Sequence, residues 1–466
     1  MLVERKRQIE NFTKEAYYKV HISGEGYKLT AEEQMESVAA RALAECVNQK
    51  TATITKAESI TKSIKPPKLY DLTTLQREAN RYYGYTAKQT LDYTQKLYEA
   101  KLVTYPRTDS QYLTEDMESS TLAIVSALCS QMPFAVNADF TPNIRHAVDN
   151  KKVSDHHAII PTMGSTMAEI KSLSIEERAV YYLIAQRLLC ASAEPMRYME
   201  RSITAECEGA TFTAKGKTIL HKGWTAIEEA FSSFAATKKK KDEEDENVII
   251  PENAKKGKTI QAVKSNVTEH FTSPPKPYTE DTLLSAMERA GNKEFDKDTE
   301  KKGLGTPATR ASIIEKLVSA GYATRKGKQI MASDDAVNMI EILPDVVTSP
   351  MLTAEWENKL LQMEKGLISE SAFMDSITKL VKKLIADYST VSEDEKRVFS
   401  INGTAESIGI CPRCGNAVEE RKLSYCCMAK GCDFVLWKDN KFLQSLGLNF
   451  TKKVAAALVS GGGYIA

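Results

Sequence analysis

The spacing of apolar residues changes several times along this chain, which rules out a single uniform architecture. Residues 51–65, TATITKAESITKSIK, alternate as a strand does. From Leu69 to about Pro195 the apolar positions recur every three or four residues, as on a helix. Leu72, Leu75, Ala79 and Tyr82 form one such stripe, ended by Gly84. Thr86 with Gln89 predicts a cap for a second helix carrying Leu91, Thr94, Leu97 and Tyr98. Ser174 with Glu177 predicts another, running through Tyr181, Ile184 and Leu188. Residues 196–275 read as β-rich, with alternation and glycine turns in RSITAECEGATFTAKGKTIL. Helical spacing resumes from Pro274 to about Tyr388, with caps expected at Thr279 and Thr353. Upstream, a strand is expected over Tyr17–Ile22. A helix should follow a capping box of Thr30 and Glu33, with Met35, Val38, Ala42 and Cys46 on one face. Pro66-Pro67 marks the first boundary. The reading is α+β and multidomain, and 466 residues make room for about three domains. No repeat of fixed period is visible.

Charge says little about partners. There are 63 Lys+Arg against 62 Asp+Glu, so a nucleic-acid footprint would have to come from local clusters. No run approaches the ~20 apolar residues of a membrane span. The opening MLVERKRQIENF lacks the apolar core of a secretory signal, and the expected compartment is the cytoplasm. Five of the nine cysteines crowd between Cys411 and Cys432, after a charged linker, SEDEKR (392–397). In a chain without an export signal such a crowd points to metal before disulfide. CPRCG (411–415) supplies Cys411 and Cys414. SYCCMAKGC supplies Cys426 and Cys432, with Cys427 an equal alternative to Cys426. Four thiolates suit a tetrahedral structural Zn²⁺. Phe434 and Trp437 either stack on unpaired bases or fill the small core of the ribbon.

Three further segments carry possible chemistry. In LVTYPRTDSQYL (102–113) a tyrosine is followed two residues later by an arginine, with Pro106 stiffening the backbone between them. A tyrosine hydroxyl held in line can attack a phosphodiester, and the phosphotyrosine ester keeps the bond energy, so the break reverses without ATP. If the segment is extended, Tyr105 and Arg107 share a face, and the guanidinium can hold the phosphate. Taken alone, such a tyrosine is more often half-buried packing. In SDHHAIIPT (154–162), His156 and His157 offer a hydrogen bond to a reacting phosphate, against the plainer reading of one exposed and one core histidine. In KKGLGTPATRASIIEKL, a glycine loop enters a helix at Gly305 and Thr306, with Thr309 and Arg310 close behind. That start suits a nucleic-acid backbone, although a plain capped helix explains it too. GKT occurs at 216–218 and 257–259, but Thr211 and Glu252 stand where a phosphate loop needs its first glycine. The run KKKKDEEDE and the pair Asp296/Asp298 read as solvated surface.

Each segment is ambiguous by itself, but their order is not. LYEAKLVTYPRTDSQYL, SDHHAIIPT, LLSAMERAG, GLGTPATRASIIEKL, LTAEWENKLLQMEKG and the terminal CPRCG together resemble the type IA DNA topoisomerases, in particular the bacterial topoisomerase III branch. The resemblance runs from the first residues to the cysteine cluster, and it implies the fold of that family's arch with a C-terminal zinc ribbon. On it, residues 1–68 hold the end of a groove domain and the first part of a β-rich arch. Residues 69–195 hold a mainly helical tyrosine domain, 196–275 the second part of the arch, 276–390 a helical single-strand groove, and 391–466 a linker and ribbon. It makes Tyr105 the nucleophile, Arg107 the phosphate-binding arginine and His156 the active-site histidine. His157, Gly305, Thr306, Thr309 and Arg310 would touch single-stranded DNA.

The resemblance has gaps. Family members begin with a Toprim domain whose acidic cluster binds Mg²⁺, and no counterpart of it or of the Gly-Arg-Val-Gln type motif is found here. The expectation is therefore a truncated copy with impaired turnover, monomeric, acting on nucleoid or mobile-element DNA, with a Toprim-containing chain in trans as a candidate partner. The rival reading is a non-catalytic remnant that binds single-stranded DNA. A tyrosine recombinase would need dispersed Arg and His around its tyrosine, and a relaxase would need a histidine triad. Neither pattern is evident.

Overall fold

A computed structural model describes residues 1–135, 140–153, 155–164, 166–235, 249–290, 303–349, 351–387, 407–421, 424–427, 429, 431–438 and 450–461. The acidic–basic run at 238–246, the Asp296/Asp298 pair and the SEDEKR linker lie outside those residues. Two compact units divide the chain, Met1–Ser369 and Glu370–Ala466.

After a short helix α1 (Leu2–Glu10), the first unit builds a seven-stranded sheet from distant pieces of sequence. Its strands are β1 (Ala16–Gly24), β2 (Tyr27–Ala31), β3 (Ala52–Ile64), β4 (Met196–Cys207), β5 (Ala210–His221), β6 (Thr259–Ile260) and β7 (Lys264–Phe271). They lie in the order β6-β3-β4-β5-β2-β1-β7, and every pairing is antiparallel. The alternation seen at 51–65 is real, and its inward residues Ala52 and Ile54 are fully buried. One face packs on α2 (Ser37–Val47), joining Val20, Ile22, Leu29, Ile203 and Phe212 to Ala40, Ala44 and Val47. Each large aliphatic side chain buried this way contributes about 1.5–3 kcal/mol.

Here one expectation fails. Thr30 does not cap a helix: it sits in β2, opposite Thr213, and α2 begins only at Ser37. A partner nearly two hundred residues away outweighs a local capping pattern.

Between β3 and β4 the chain inserts a helical body of α3 (Leu72–Tyr83), α4 (Ala87–Glu99), α5 (Glu118–Gln131), α6 (Met167–Ser172) and α7 (Ile175–Ser192). The predicted stripe holds, with Leu72, Leu75 and Ala79 buried and Gly84 closing α3 in the left-handed region (φ 76°). Both predicted capping boxes form, Thr86 with Gln89 and Ser174 with Glu177. A helix within the segment read as β-rich, α8 (Trp224–Phe234), joins this core through Ile227 and Phe231. Its three-and-four spacing was present in the sequence but hidden between two alternating stretches.

The remainder of the unit holds β8 (Tyr278–Thr279), α9 (Glu280–Arg289), α10 (Pro307–Ser319), β9 (Ala323–Lys326), β10 (Gln329–Ala332), α11 (Asp334–Ile342), α12 (Asp345–Thr348) and α13 (Met351–Glu364). Thr279 caps α9 as expected. Thr353 lies inside α13 and not at its start, and a small β8-β10-β9 sheet interrupts what was read as purely helical. Leu2 and Val3 of α1 pack on Ala332 and Ala336, which ties the start of the chain to this region.

The second unit holds α14 (Glu370–Asp387), a four-stranded ribbon and α15 (Lys452–Val459). The ribbon strands β11 (Ser407–Ile410), β12 (Ala417–Glu420), β13 (Ser424–Cys427) and β14 (Val435–Trp437) run in sequence order. Ile408, Val418, Tyr425, Ala455 and Val459 form its core. No helix of the described residues is long and apolar enough to cross a membrane.

Candidate active site

The tyrosine segment is laid against the histidine segment by backbone bonds on both sides of the nucleophile candidate. Thr104 N–H donates to Ile160 O at 3.0 Å, and Thr104 Oγ1 donates to Ala158 O at 3.0 Å. Beyond the bend at Pro106–Arg107, Thr108 Oγ1 donates to His156 O at 3.0 Å, and Ala158 N–H donates to Tyr112 O at 2.9 Å. Thr108 and Ser110 are buried, whereas Arg107 and Asp109 between and beside them face solvent. A short polar side chain that folds back on its own loop can be buried at no net cost, because its hydrogen bonds are replaced.

Tyr105 is half-buried. Its ring lies 4.3 Å, centroid to centroid, from the ring of His156 and meets Tyr98 edge-on at 5.5 Å. His156 is exposed, and His157 is half-buried with Nδ1 2.8 Å from Ala158 O. One of the pair is thus presented and the other is tied to the backbone. Arg107, Thr108, Asp109, Asp155 and His156 line one side of a hollow of about 190 Å³, and Thr306, Pro307 and Ala308 line the other. A second hollow of about 460 Å³ runs from Arg107 along Gln89, Tyr93 and Lys96 of α4. The predicted residues Arg107, His156 and Thr306 therefore face one space.

The far wall owes its shape to glycine. Gly303 and Gly305 both have φ of 68°, and a Cβ on Gly303 would lie 2.3 Å from Met287 O. No larger residue fits that approach without moving the end of α9. Leu304 N–H donates to Met287 O at 2.7 Å. Thr306 N–H then donates to Thr309 Oγ1 at 2.9 Å, and Pro307 occupies the first helical position. Thr309 is consequently engaged as the partner of the cap.

Arg310 departs from expectation. It is only 2% exposed; its Nε donates to Leu304 O at 3.2 Å and its NH1 to Thr73 Oγ1 at 2.9 Å. Burial lowers its pKa from the usual arginine value. A guanidinium so enclosed fastens α10 to α3 and does not reach a ligand in the hollow. Spacing from a helix start cannot distinguish a cation facing out from one facing in.

Behind the tyrosine segment, Asp71 caps α3. Its carboxylate accepts from Thr74 N–H at 2.7 Å, from Thr74 Oγ1 at 2.7 Å and from Gln111 Nε2 at 3.0 Å. Burial pushes its pKa up to about 6 in spite of those donors. Deeper, Arg187 pairs with Glu78 and lies over the Tyr70 ring at 4.3 Å. Tyr70 in turn accepts the Ile159 N–H through its carbonyl at 2.8 Å. Burial alone would raise the Glu78 carboxyl, but the Arg187 guanidinium holds it below the usual value.

In the second unit the sulfurs of Cys411, Cys414, Cys427 and Cys432 all lie within 4.8 Å of one another. Cys411 and Cys432 are 3.7 Å apart, and Cys414 and Cys427 are 3.3 Å apart. Tetrahedral Zn²⁺ with Zn–S bonds of about 2.3 Å separates its sulfurs by about 3.8 Å, so the donor set fits. The fourth thiolate is Cys427 and not Cys426: successive residues of β13 point to opposite faces, and it is the Cys427 sulfur that lies with the other three. Hydrogen bonds from Asn416 lower the Cys414 thiol, whereas burial and the neighbouring thiols raise Cys427 and Cys432. Phe434 packs partly against the ribbon core, and Trp437 is 55% exposed.

A sequence model of the family described as DNA topoisomerase matches residues 1–375. DNA topoisomerase 3 of Bacillus licheniformis is 36% identical over 443 residues, covering 89% of this chain and 58% of the relative. DNA topoisomerase 3 of Bacillus subtilis is 34% identical, with the same coverage. In fold, the chain resembles the full-length topoisomerase I of Thermotoga maritima, with a TM-score of 0.60 and 19% identity over 94% of this chain and 68% of that one. The chain thus belongs to the type IA DNA topoisomerases. Within them it is topoisomerase III-like, and it spans 58% of the length of these curated relatives.

Proposed function

We propose that the chain breaks and rejoins one strand of DNA through a covalent link to Tyr105. The observation that carries this is the Tyr105 ring packed on an exposed His156, which together with the exposed Arg107 lines a hollow walled opposite by the start of α10. In the first step the phenolic oxygen gives up its proton and forms a bond to phosphorus, and the bond from phosphorus to the departing strand's oxygen breaks. That oxygen takes up a proton and leaves as a hydroxyl. The same hydroxyl later attacks the phosphotyrosine and restores the strand, so no ATP is consumed. Arg107 neutralises charge on the phosphate, and His156 donates a hydrogen bond to it. Thr306 guides the strand along the hollow; Gly305 and Thr309 shape the start of α10, His157 steadies the histidine segment, and Arg310 braces the wall.

On this reading the arch is the seven-stranded sheet, the tyrosine domain the helical body at 69–195, and the groove residues 276–390. The protein acts as a monomer on single-stranded segments of cytoplasmic DNA, and a second polypeptide in trans is a candidate partner. A zinc ion held by Cys411, Cys414, Cys427 and Cys432 fixes the ribbon. The family resemblance implies Mg²⁺ as well, and slow relaxation of plasmid by this chain alone is part of the proposal. The test is covalent trapping. Mixed with labelled single-stranded oligonucleotide and denatured, the protein should carry the label; Tyr105→Phe should abolish the adduct, and His156→Ala should slow its formation about 100-fold. A wild-type protein that never becomes labelled, or an adduct that survives Tyr105→Phe, would end the proposal.

A further inference from the structure

The first turn of α3 touches both walls of the hollow. Leu72 N–H donates to Thr108 O at 3.1 Å, and Asp71 Oδ2 accepts from Gln111 Nε2 at 3.0 Å, so two points on the tyrosine segment are held. Thr73 Oγ1, fully buried on the same turn, accepts from Arg310 of α10, whose preceding residues Thr306–Ala308 form the opposite wall. We infer that Asp71, through Gln111, is a positioning residue that holds the Tyr105–Arg107 bend in register with the start of α10. This deepens the proposed function and rests on it for its catalytic consequence, but the clasp itself is a structural claim that can be read separately.

Two features argue that the carboxylate does more than cap a helix. A cap needs one oxygen, and Thr74 occupies Oδ1 through both its N–H and its hydroxyl, leaving Oδ2 to Gln111. The chain also keeps an acid where burial disfavours the charge, at 5% exposure, with the Glu288 carboxylate of α9 opposing it and the Arg310 guanidinium of α10 in electrostatic reach. Serine or threonine would cap α3 without that penalty. Neither is long enough to reach Gln111 from the same backbone. The forked side chain, with a second polar atom beyond the cap, is therefore explained by its contact with Gln111.

The substitutions separate the two jobs. Asp71→Ser keeps the cap and loses the clasp, Gln111→Ala loses the clasp alone, and Asp71→Asn keeps both, because its oxygen stays on Thr74 and the Gln111 amide turns to accept from its NH2. Hydrogen–deuterium exchange of residues 104–113 is read in the full chain, beside the rate of adduct formation on single-stranded oligonucleotide. Asp71→Ser and Gln111→Ala are expected to speed exchange in that segment about tenfold and slow the adduct at least tenfold, with the far-UV dichroism of the wild type. Asp71→Asn is expected to return both close to wild type. Unchanged exchange in Asp71→Ser and Gln111→Ala overturns the clasp, as does an Asp71→Asn protein as loose as Asp71→Ser. If the wild type forms no adduct, the proposed function falls, and the exchange measurements still decide the clasp.

Discussion

The helical body and the ribbon of this chain reach stability by opposite means. The body buries a continuous cluster running from Leu69 to Phe231, with Tyr181, Leu183, Ile184, Leu188 and Leu189 wholly enclosed along α7. The ribbon buries a handful of side chains, Ile408, Val418, Tyr425 and Val459 among them, around four converging thiols. Among the described residues this apolar burial is too small to offset the ordering entropy of four strands, and a metal held by the four thiols would make up the difference. One region is held by packing spread over many residues, and the other by bonds concentrated at one point.

That contrast is sharpest when the metal is removed. Structural zinc contributes about 10–16 kcal/mol in small domains, so chelation should unfold the ribbon strands and leave the helical body intact. Loss of ribbon signals in an NMR spectrum, with unchanged far-UV dichroism from the helices, is the expected record. Cys427→Ser should reduce bound zinc from one to none by elemental analysis, and Cys426→Ser should leave it at one. The reverse result would reassign the ligand.

In the body the largest single effect should come from its buried ion pair. Glu78→Ala strands Arg187 beneath Tyr70 and should cost about 3–5 kcal/mol in urea unfolding. A cost below 1 kcal/mol would show that solvent reaches the pair. Next comes Asp71, whose pKa is about 6 folded and about 3.9 unfolded. The folded state therefore binds more protons between those values. The Asp71 contribution is greatest below about pH 4 and declines by about 3 kcal/mol as pH rises past 6. Asp71→Asn should flatten this slope in melting curves taken from pH 4 to 7. The smallest effect is at the cap of α7, where Ser174→Ala should cost about 1 kcal/mol. A larger loss there would mean that the body depends on local bonds more than its packing suggests.

What could be read in advance follows the range of each interaction. Capping boxes at Thr86 and Ser174 and the stripe of α3 are complete within a few residues, and they stand as read. Thr30 was misread because its strand partner, Thr213, is remote. The juxtaposition of Tyr105, Arg107 and His156 was legible only through the order of motifs, since roughly fifty residues separate the two segments. Arg310 could not be assigned from its position, because the hydroxyl that receives it belongs to α3. Cys426 and Cys427 differ by one residue, and a strand's two-residue period decides between them only once β13 is known to be a strand.

The pairing of Ile64 with Met196 has a consequence for how the molecule assembles. These adjacent strand ends bracket roughly 130 residues of helical insertion, and closing so long a loop from an unfolded coil costs about 4 kcal/mol in chain entropy. If the helices collapse first, their two ends emerge side by side and most of that cost is already met. The sheet is then the late event in folding, zipped up on a finished helical body. Substitutions along β3 should accordingly speed unfolding far more than they slow folding.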